Sequence, residues 1–341
     1  MPLSETVSPM NVPEYVVRVD PIHGWPVCYA SRRALRPFDF HQHKPLACPE
    51  NDPFAEGHED ITTPETLAIR PPGSPSNGPG WQVRVIPNKY PALQALAGVG
   101  ADSASPCQGI HEVIVECPQR ETHFTRLEEQ QRICVLQAMR QRLEQLSIEP
   151  ALRHATIFKN HGQAAGASLA HSHSQLIATT FVPPYIRREI DFRRAYRQRT
   201  GLDHAQEQLE RELREQTRLV EVSPSLVVYC PEVSRFGLEM RILPRSPELH
   251  FHRSSPALIT ELNGLLTRAL RRLERIAGDI GYNLVLHTAP FQEDDLEGFR
   301  WHWEIYPRIA GIAGWELGAG GYVNAILPET AAKLLRDVSF G

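Results

Sequence analysis

Asn160-His161-Gly162-Gln163-Ala164-Ala165-Gly166-Ala167-Ser168 leads through Leu169-Ala170 into His171-Ser172-His173-Ser174-Gln175. In an extended strand alternate side chains share a face, so His171, His173 and Gln175 are expected to point together. The small residues before them make a loop narrow enough for a phosphate to approach backbone amides. Two imidazoles and an amide beside a flexible anion cradle suit nucleophilic chemistry at phosphorus, and the same pattern could hold a metal.

Upstream of this stretch, His154 to Lys159 reads as a strand. From Thr125 to Leu146, Leu127, Ile133, Leu136, Met139, Leu143 and Leu146 recur at helical spacing, and Thr125-Arg126-Leu127-Glu128 offers a capping box. Trp81 to Ile86 and His111 to Glu116 read as sheet members that stop at Pro87 and Pro118. Turn-rich segments, Pro71 to Gly80 and Gly98 to Gly109, separate them.

The order strand, strand, helix, strand, strand returns downstream: Leu226 to Tyr229, Leu238 to Leu243, a helix over Pro256 to Ile276, then Tyr282 to His287 and Trp301 to Tyr306. An order of elements repeated roughly 130 residues apart indicates a duplicated domain rather than a short-repeat solenoid. In the second series His302-Trp303-Glu304 takes the place of His171-Ser172-His173, so a single copy keeps both histidines. Between the series, Pro184 to Glu221 is dense in Arg and Glu and suits exposed bridging helices.

The chain has 341 residues, 41% of them hydrophobic, enough for one large or two ordinary cores. Its 36 basic and 40 acidic residues leave a formal charge of -4, which argues against a nucleic-acid or membrane-surface role. The start lacks a leader pattern, and no apolar run is long enough for a membrane span. Cys28, Cys48, Cys107, Cys117, Cys134 and Cys230 show no tight pairing, which fits a reduced, cytoplasmic setting.

The histidine stretch resembles the active-site segment of the galactose-1-phosphate uridylyltransferase family, in the histidine-triad superfamily, with likeness also to its ADP-glucose phosphorylase branch. The resemblance continues in order through Arg33-Ala34-Leu35-Arg36-Pro37, Val85-Ile86-Pro87-Asn88-Lys89-Tyr90-Pro91, Gly109-Ile110-His111-Glu112-Val113 and Trp303-Glu304-Ile305-Tyr306-Pro307-Arg308. It implies an α+β fold of two tandem histidine-triad-like domains. Residues 1–183 would carry the active histidine; residues 184–341 would hold linker helices and a degenerate copy. A homodimer is implied as well.

By the same likeness His173 would attack the α-phosphorus of a nucleotide-sugar and carry the nucleoside monophosphate to a sugar 1-phosphate or phosphate. Gln175 and Ser168, with Arg33 and Arg36, would hold phosphates at the Gly166-Ala167 turn. Asn88 and Asn160 would contact the nucleoside, and Glu316 lies in a segment that approaches the nucleotide. UDP-glucose with galactose 1-phosphate is the favoured pair. ADP-glucose phosphorolysis, nucleotide hydrolysis and a non-catalytic nucleotide-binding role are the alternatives. Ser172 and Ser174 stand where the familiar uridylyltransferases have proline and glycine, and similar serine versions occur in the ADP-glucose phosphorylase branch.

Two metal patterns come with the resemblance, zinc or iron in a structural role, and no organic cofactor is expected. The first retains His111, His171 and Asp52, with Ala55 at the position of a lost thiolate and Cys48 as a substitute donor. The second matches Glu189, His287, His302 and Glu304. Trp301, Trp303 and Trp315 are expected to pack a core or a dimer contact, and His41, His43 and His58 to lie on the surface.

Overall fold

The computed structural model describes residues 15–30, 48, 50–96, 108–296 and 298–340. Arg33, Arg36, His41 and His43 lie outside the described residues. The chain opens with a hairpin of β1 (Tyr15–Val19) and β2 (Pro26–Ala30). The first series follows: β3 (Leu67–Ile69), β4 (Val83–Pro87), β5 (Gly109–Val115), α1 (Glu129–Ser147), β6 (His154–His161) and β7 (His173–Thr179). Two helices, α2 (Pro184–Thr200) and α3 (His204–Glu215), lead to the second: β8 (Leu219–Val222), β9 (Leu226–Tyr229), β10 (Met240–Pro244), α4 (Pro256–Ala277), β11 (Tyr282–His287) and β12 (His302–Pro307). After α5 (Gly314–Ala319), β13 (Tyr322–Asn324) joins β2 in parallel, and α6 (Pro328–Arg336) closes the chain.

The strands of both series form one ten-stranded antiparallel sheet in the order β3-β4-β5-β7-β6-β11-β12-β10-β9-β8. From either edge inward the sequence of strands is the same, which displays the duplication directly. The two copies meet at β6 and β11, where Asn160 faces Asn283 and Ile157 faces Leu286. Alternation along β6 buries Ala155, Ile157 and Lys159 while Thr156, Phe158 and Asn160 stay half-exposed. The apolar stripes of α1 and α4 join these strands in one continuous core that includes Leu136, Leu143, Ile157, Leu266, Leu286 and Trp303. On the opposite face, α2 and α3 cover the second copy, where Glu189 reaches His302 and Leu209 packs on Val227 and Tyr229.

Local departures from the expected boundaries have identifiable causes. Helix α1 begins at Glu129, four residues past the expected Thr125, and Phe124–Arg126 forms a separate tight turn. The Thr125 hydroxyl does not cap the helix; it donates to Glu274 of α4 at 2.6 Å, a tertiary partner that outcompetes the local one. Trp301 and Trp303 are buried in the core, whereas Trp315 is 53% exposed. At the seam, Gly162 has φ of 77°, and a Cβ there would come within 3.0 Å of the Gly281 Cα, so both copies pinch together at backbone contact.

Candidate active site

His173 opens β7, and its ring is buried beside Phe54, with ring centroids 5.4 Å apart. Its Nδ1 lies 2.7 Å from the carbonyl of His171. A carbonyl can only accept, so Nδ1 carries the proton and Nε2 keeps its lone pair. Burial, and then the nearby Lys159 charge, push the imidazole below its ordinary value, which keeps it neutral near pH 7. His173 borders a cavity of about 210 Å³ together with Lys159, Asn160, His161, Ala167 and Arg308.

The two serines that flank His173 face the other way. Ser172 donates to Glu116 Oε2 at 2.6 Å and Ser174 to Glu116 Oε1 at 2.5 Å. Lys159 reaches the same carboxylate at 2.8 Å, the Ser172 hydroxyl at 3.0 Å and the His173 carbonyl at 3.1 Å. Burial would raise the Glu116 carboxyl, but Lys159 and the two hydroxyls outweigh it and hold the group below its ordinary value. All four side chains are buried. They form a closed polar knot under the strand that presents the histidine.

Gln175 lies on the opposite face and is tied through its carbonyl to His111. The Ala92 amide donates to His111 Nδ1 at 3.0 Å, so Nε2 bears the proton and donates to Gln175 Oε1 at 2.8 Å. That leaves the Gln175 amide nitrogen for a ligand. Asn88 adjoins this ring, its Nδ2 3.2 Å from His111 Nε2. Asn160 accepts from Asn283 across the seam at 2.7 Å, and Asn283 accepts from Arg308 Nε at 2.6 Å. Arg308 Nη1 is buried with no acceptor among the described residues. A guanidinium held at Nε, with a second nitrogen unpaired and the residue bordering the cavity, has hydrogen-bonding capacity suited to an anion.

The expected backbone cradle is different. A tight turn over Gln163–Ala165 folds the loop onto itself, and the amides of Ala165, Gly166 and Ala167 donate to the carbonyls of Gly162 and Gln163. Gly166 takes the left-handed φ of 88°. Ala167 lines the cavity, while Ser168 is exposed beside it. These three amides are thus spent within the loop, and among the described residues Arg308 is the guanidinium that borders the cavity. Glu316 sits in α5, its carboxylate accepting from the Ala313 amide at 3.0 Å.

In the second copy His302 opens β12 and its Nδ1 donates to the carbonyl of Arg300 at 3.0 Å. His173 has the same bond to the residue two before it, so His302 matches His173, and Glu304 matches Gln175. The expected equivalence, which set Glu304 against His173, is off by two residues.

A family model described as galactose-1-phosphate uridyl transferase, N-terminal domain, matches residues 82–183. The chain is 30% identical over 335 residues to ADP-glucose phosphorylase of Arabidopsis thaliana, covering 95% of this chain and 93% of that one. The chain belongs to the galactose-1-phosphate uridylyltransferase family. A galactose-1-phosphate uridylyltransferase of Thermotoga maritima is 26% identical over 73% of this chain and 82% of its own length. A crystal structure of an ADP-glucose phosphorylase from A. thaliana with bound ADP-glucose superposes with a TM-score of 0.81 at 29% identity, covering 96% of this chain and 100% of that one. As a member of this family the protein is a nucleotidyltransferase.

The family's two metal patterns fit this chain unequally. Asp52, His171 and Cys48 do converge, but His111 stands apart, turned to Gln175. That leaves three donors where a structural zinc takes four. His171 is already spanned by Asp52 Oδ2 at 2.7 Å and the Cys117 carbonyl at 2.8 Å. Burial and Asp52 push the Cys48 thiol up to about 11. A closed zinc site does not fit; hydrogen bonds replace it.

Of the second pattern, Glu189, His287 and His302 do fit, with donor atoms that converge, whereas Glu304 approaches the other ring nitrogen of His287. Arg193 and Arg241 bond Oε1 of Glu189 and Glu304, leaving Glu189 Oε2 3.8 Å from His287 Nδ1 and Glu304 Oε2 3.3 Å from His287 Nε2. His287 Nδ1 and Glu304 Oε2 are buried without hydrogen-bond partners among the described residues, and the Arg300 carbonyl fixes His302 with Nε2 bare.

Sequence reading missed Lys159, Glu116 and Arg308 as site residues. Arg308 closes the quoted segment Trp303 to Arg308 and could have been found there. Glu116 ends a strand and Lys159 sits at a buried strand position, a charge pattern that asks for a partner.

Proposed function

We propose that the protein transfers a nucleoside monophosphate from a nucleotide-sugar to a phosphate acceptor through a covalent nucleotidyl-His173. The observation that carries this reading is the His173 ring, held by a backbone carbonyl so that its Nε2 keeps its lone pair, at a cavity that Arg308 also lines. Nε2 attacks the α-phosphorus, the bond from phosphorus to the bridging oxygen breaks, and the sugar 1-phosphate leaves with that oxygen. An acceptor phosphate oxygen then attacks the same phosphorus and His173 departs with its lone pair restored. Arg308 and the Gln175 amide would hold the equatorial oxygens as charge builds. Asn160 would meet the nucleoside end.

ADP-glucose as donor and inorganic phosphate as acceptor are the preferred substrates, supported by the likeness to the Arabidopsis enzyme along nearly the whole chain. UDP-glucose with galactose 1-phosphate is the second reading, supported by the Thermotoga relative. A metal ion held by Glu189, His287 and His302 would tie α2 to β11 and β12, apart from the transfer itself. The test is incubation with ADP-glucose or UDP-glucose labelled at the α-phosphate, followed by acid-labile trapping. Label on His173 and release of glucose 1-phosphate are expected, faster with ADP-glucose. No label from either donor, or unchanged labelling in His173→Ala, would overturn the covalent mechanism.

A further inference from the structure

The wall of the same cavity carries a trio that the transfer does not use. His123 Nε2 lies 2.9 Å and His161 Nε2 3.2 Å from one carboxylate oxygen, Asp279 Oδ1. The three donor atoms fall within 4.8 Å of one another. The two rings are tilted by 59° with centroids 4.8 Å apart, so their edges converge instead of stacking. Both rings are buried, and all three residues border the cavity that holds His173.

We propose that His123, His161 and Asp279 bind a divalent transition-metal ion of the zinc, cobalt or manganese class at this cavity wall. Two imidazoles and one carboxylate are a donor set that such ions accept, with at least one position left open. Metal–ligand bonds of about 2.0–2.2 Å place neighbouring donor atoms about 3.0–3.5 Å apart, and the two contacts to Asp279 are already near that spacing. The rings are held in place beforehand. Thr122 Oγ1, 2.6 Å from His123 Nδ1, can accept a hydrogen bond from Nδ1–H, and in that tautomer Nε2 offers its lone pair to an ion, as outer partners arrange for metal-bound imidazoles. His161 ends β6 and stacks on Tyr282 with centroids 4.8 Å apart.

Asp279 comes from the turn between α4 and β11, so the ion would link the two copies at their seam. Its open position faces the cavity, where an anionic oxygen could complete the coordination. That last step rests on the nucleotide reading; binding of the metal does not.

The test uses Co²⁺ alone, added to the full chain after removal of bound metals by chelation. Wild type is expected to bind one Co²⁺ more than Asp279→Asn or His161→Gln, or to hold that ion at least about 100-fold more tightly than either variant. Equal uptake by wild type and both variants would overturn the site. Anomalous scattering from Co²⁺-soaked wild-type crystals needs no variant. A peak within bonding distance of His123 Nε2 and His161 Nε2 supports the proposal, and peaks confined to the other two clusters, or none, overturn it. Labelling of His173 is read in a separate assay, so failure of either claim is seen apart from the other.

Discussion

Because a backbone carbonyl orients His173, its tautomer does not depend on the charge of any neighbouring side chain. Burial and Lys159 lower its proton affinity, so protonation should silence the nucleophile only below the ordinary histidine value. The rate of adduct formation is expected to fall in acid with a midpoint below about 6.5; a midpoint at or above that value would contradict the assignment. Arg308 makes a second residue-scale test. Its Nη1 has no acceptor among the described residues and the residue borders the cavity; hydrogen bonds to charged groups contribute about 1.5–3 kcal/mol. Arg308→Met should therefore lower kcat/KM for the donor by about 10- to 100-fold, with circular dichroism unchanged. The histidine run itself was legible, since a strand's alternation separates His173 from Ser172 without further information. Arg308's role was not, because it depends on Asn283 holding one nitrogen.

At the scale of the element, β7 is two-faced: His173 borders the cavity and Gln175 on the same face meets His111, while Ser172 and Ser174 anchor the strand to Glu116 and Lys159. The serines had suggested a difference in substrate, yet in the structure they bond only beneath the strand. Ser172→Ala and Ser174→Ala are each expected to cost about 1–3 kcal/mol of stability by leaving a buried acceptor short of a partner. Donor preference should stay the same, and a shifted ratio of ADP-glucose to UDP-glucose rates would refute this. Glu116→Gln strands the Lys159 charge and should cost about 3–5 kcal/mol, measured by denaturant unfolding. Since the folded state holds the Glu116 carboxyl below its ordinary value, its contribution is present above about pH 4.5 and fades as pH falls through the folded value. The expected start of α1 shows the limit of local reading. A capping sequence at Thr125 was present, but Glu274, 149 residues away, claimed its hydroxyl.

For the whole molecule, one sheet with a core on its helical side makes acid stability a collective property of buried neutral histidines. Burial pushes His154 down to about 4, and its Nε2 faces the Thr288 carbonyl across the seam. The unfolded chain takes up a proton at about 6.5 while the folded chain does not, so stability is lost as pH falls between those values. His154 alone accounts for about 3 kcal/mol of that loss. Denaturant unfolding at pH 7.5 and 4.5 should show the difference, and His154→Gln should remove about that share. By itself the sequence determined the order of elements, the duplication and the stretch that borders the cavity, because alternation, helical spacing and turn residues are local signals. Only the tertiary structure decided which copies join edge to edge, which histidine of the second copy matches His173, and that His123 and His161 meet Asp279 from 156 and 118 residues away. Those meetings depend on strand order and register across the β6–β11 seam, which are set by packing of the whole sheet and leave no mark in any short run of residues.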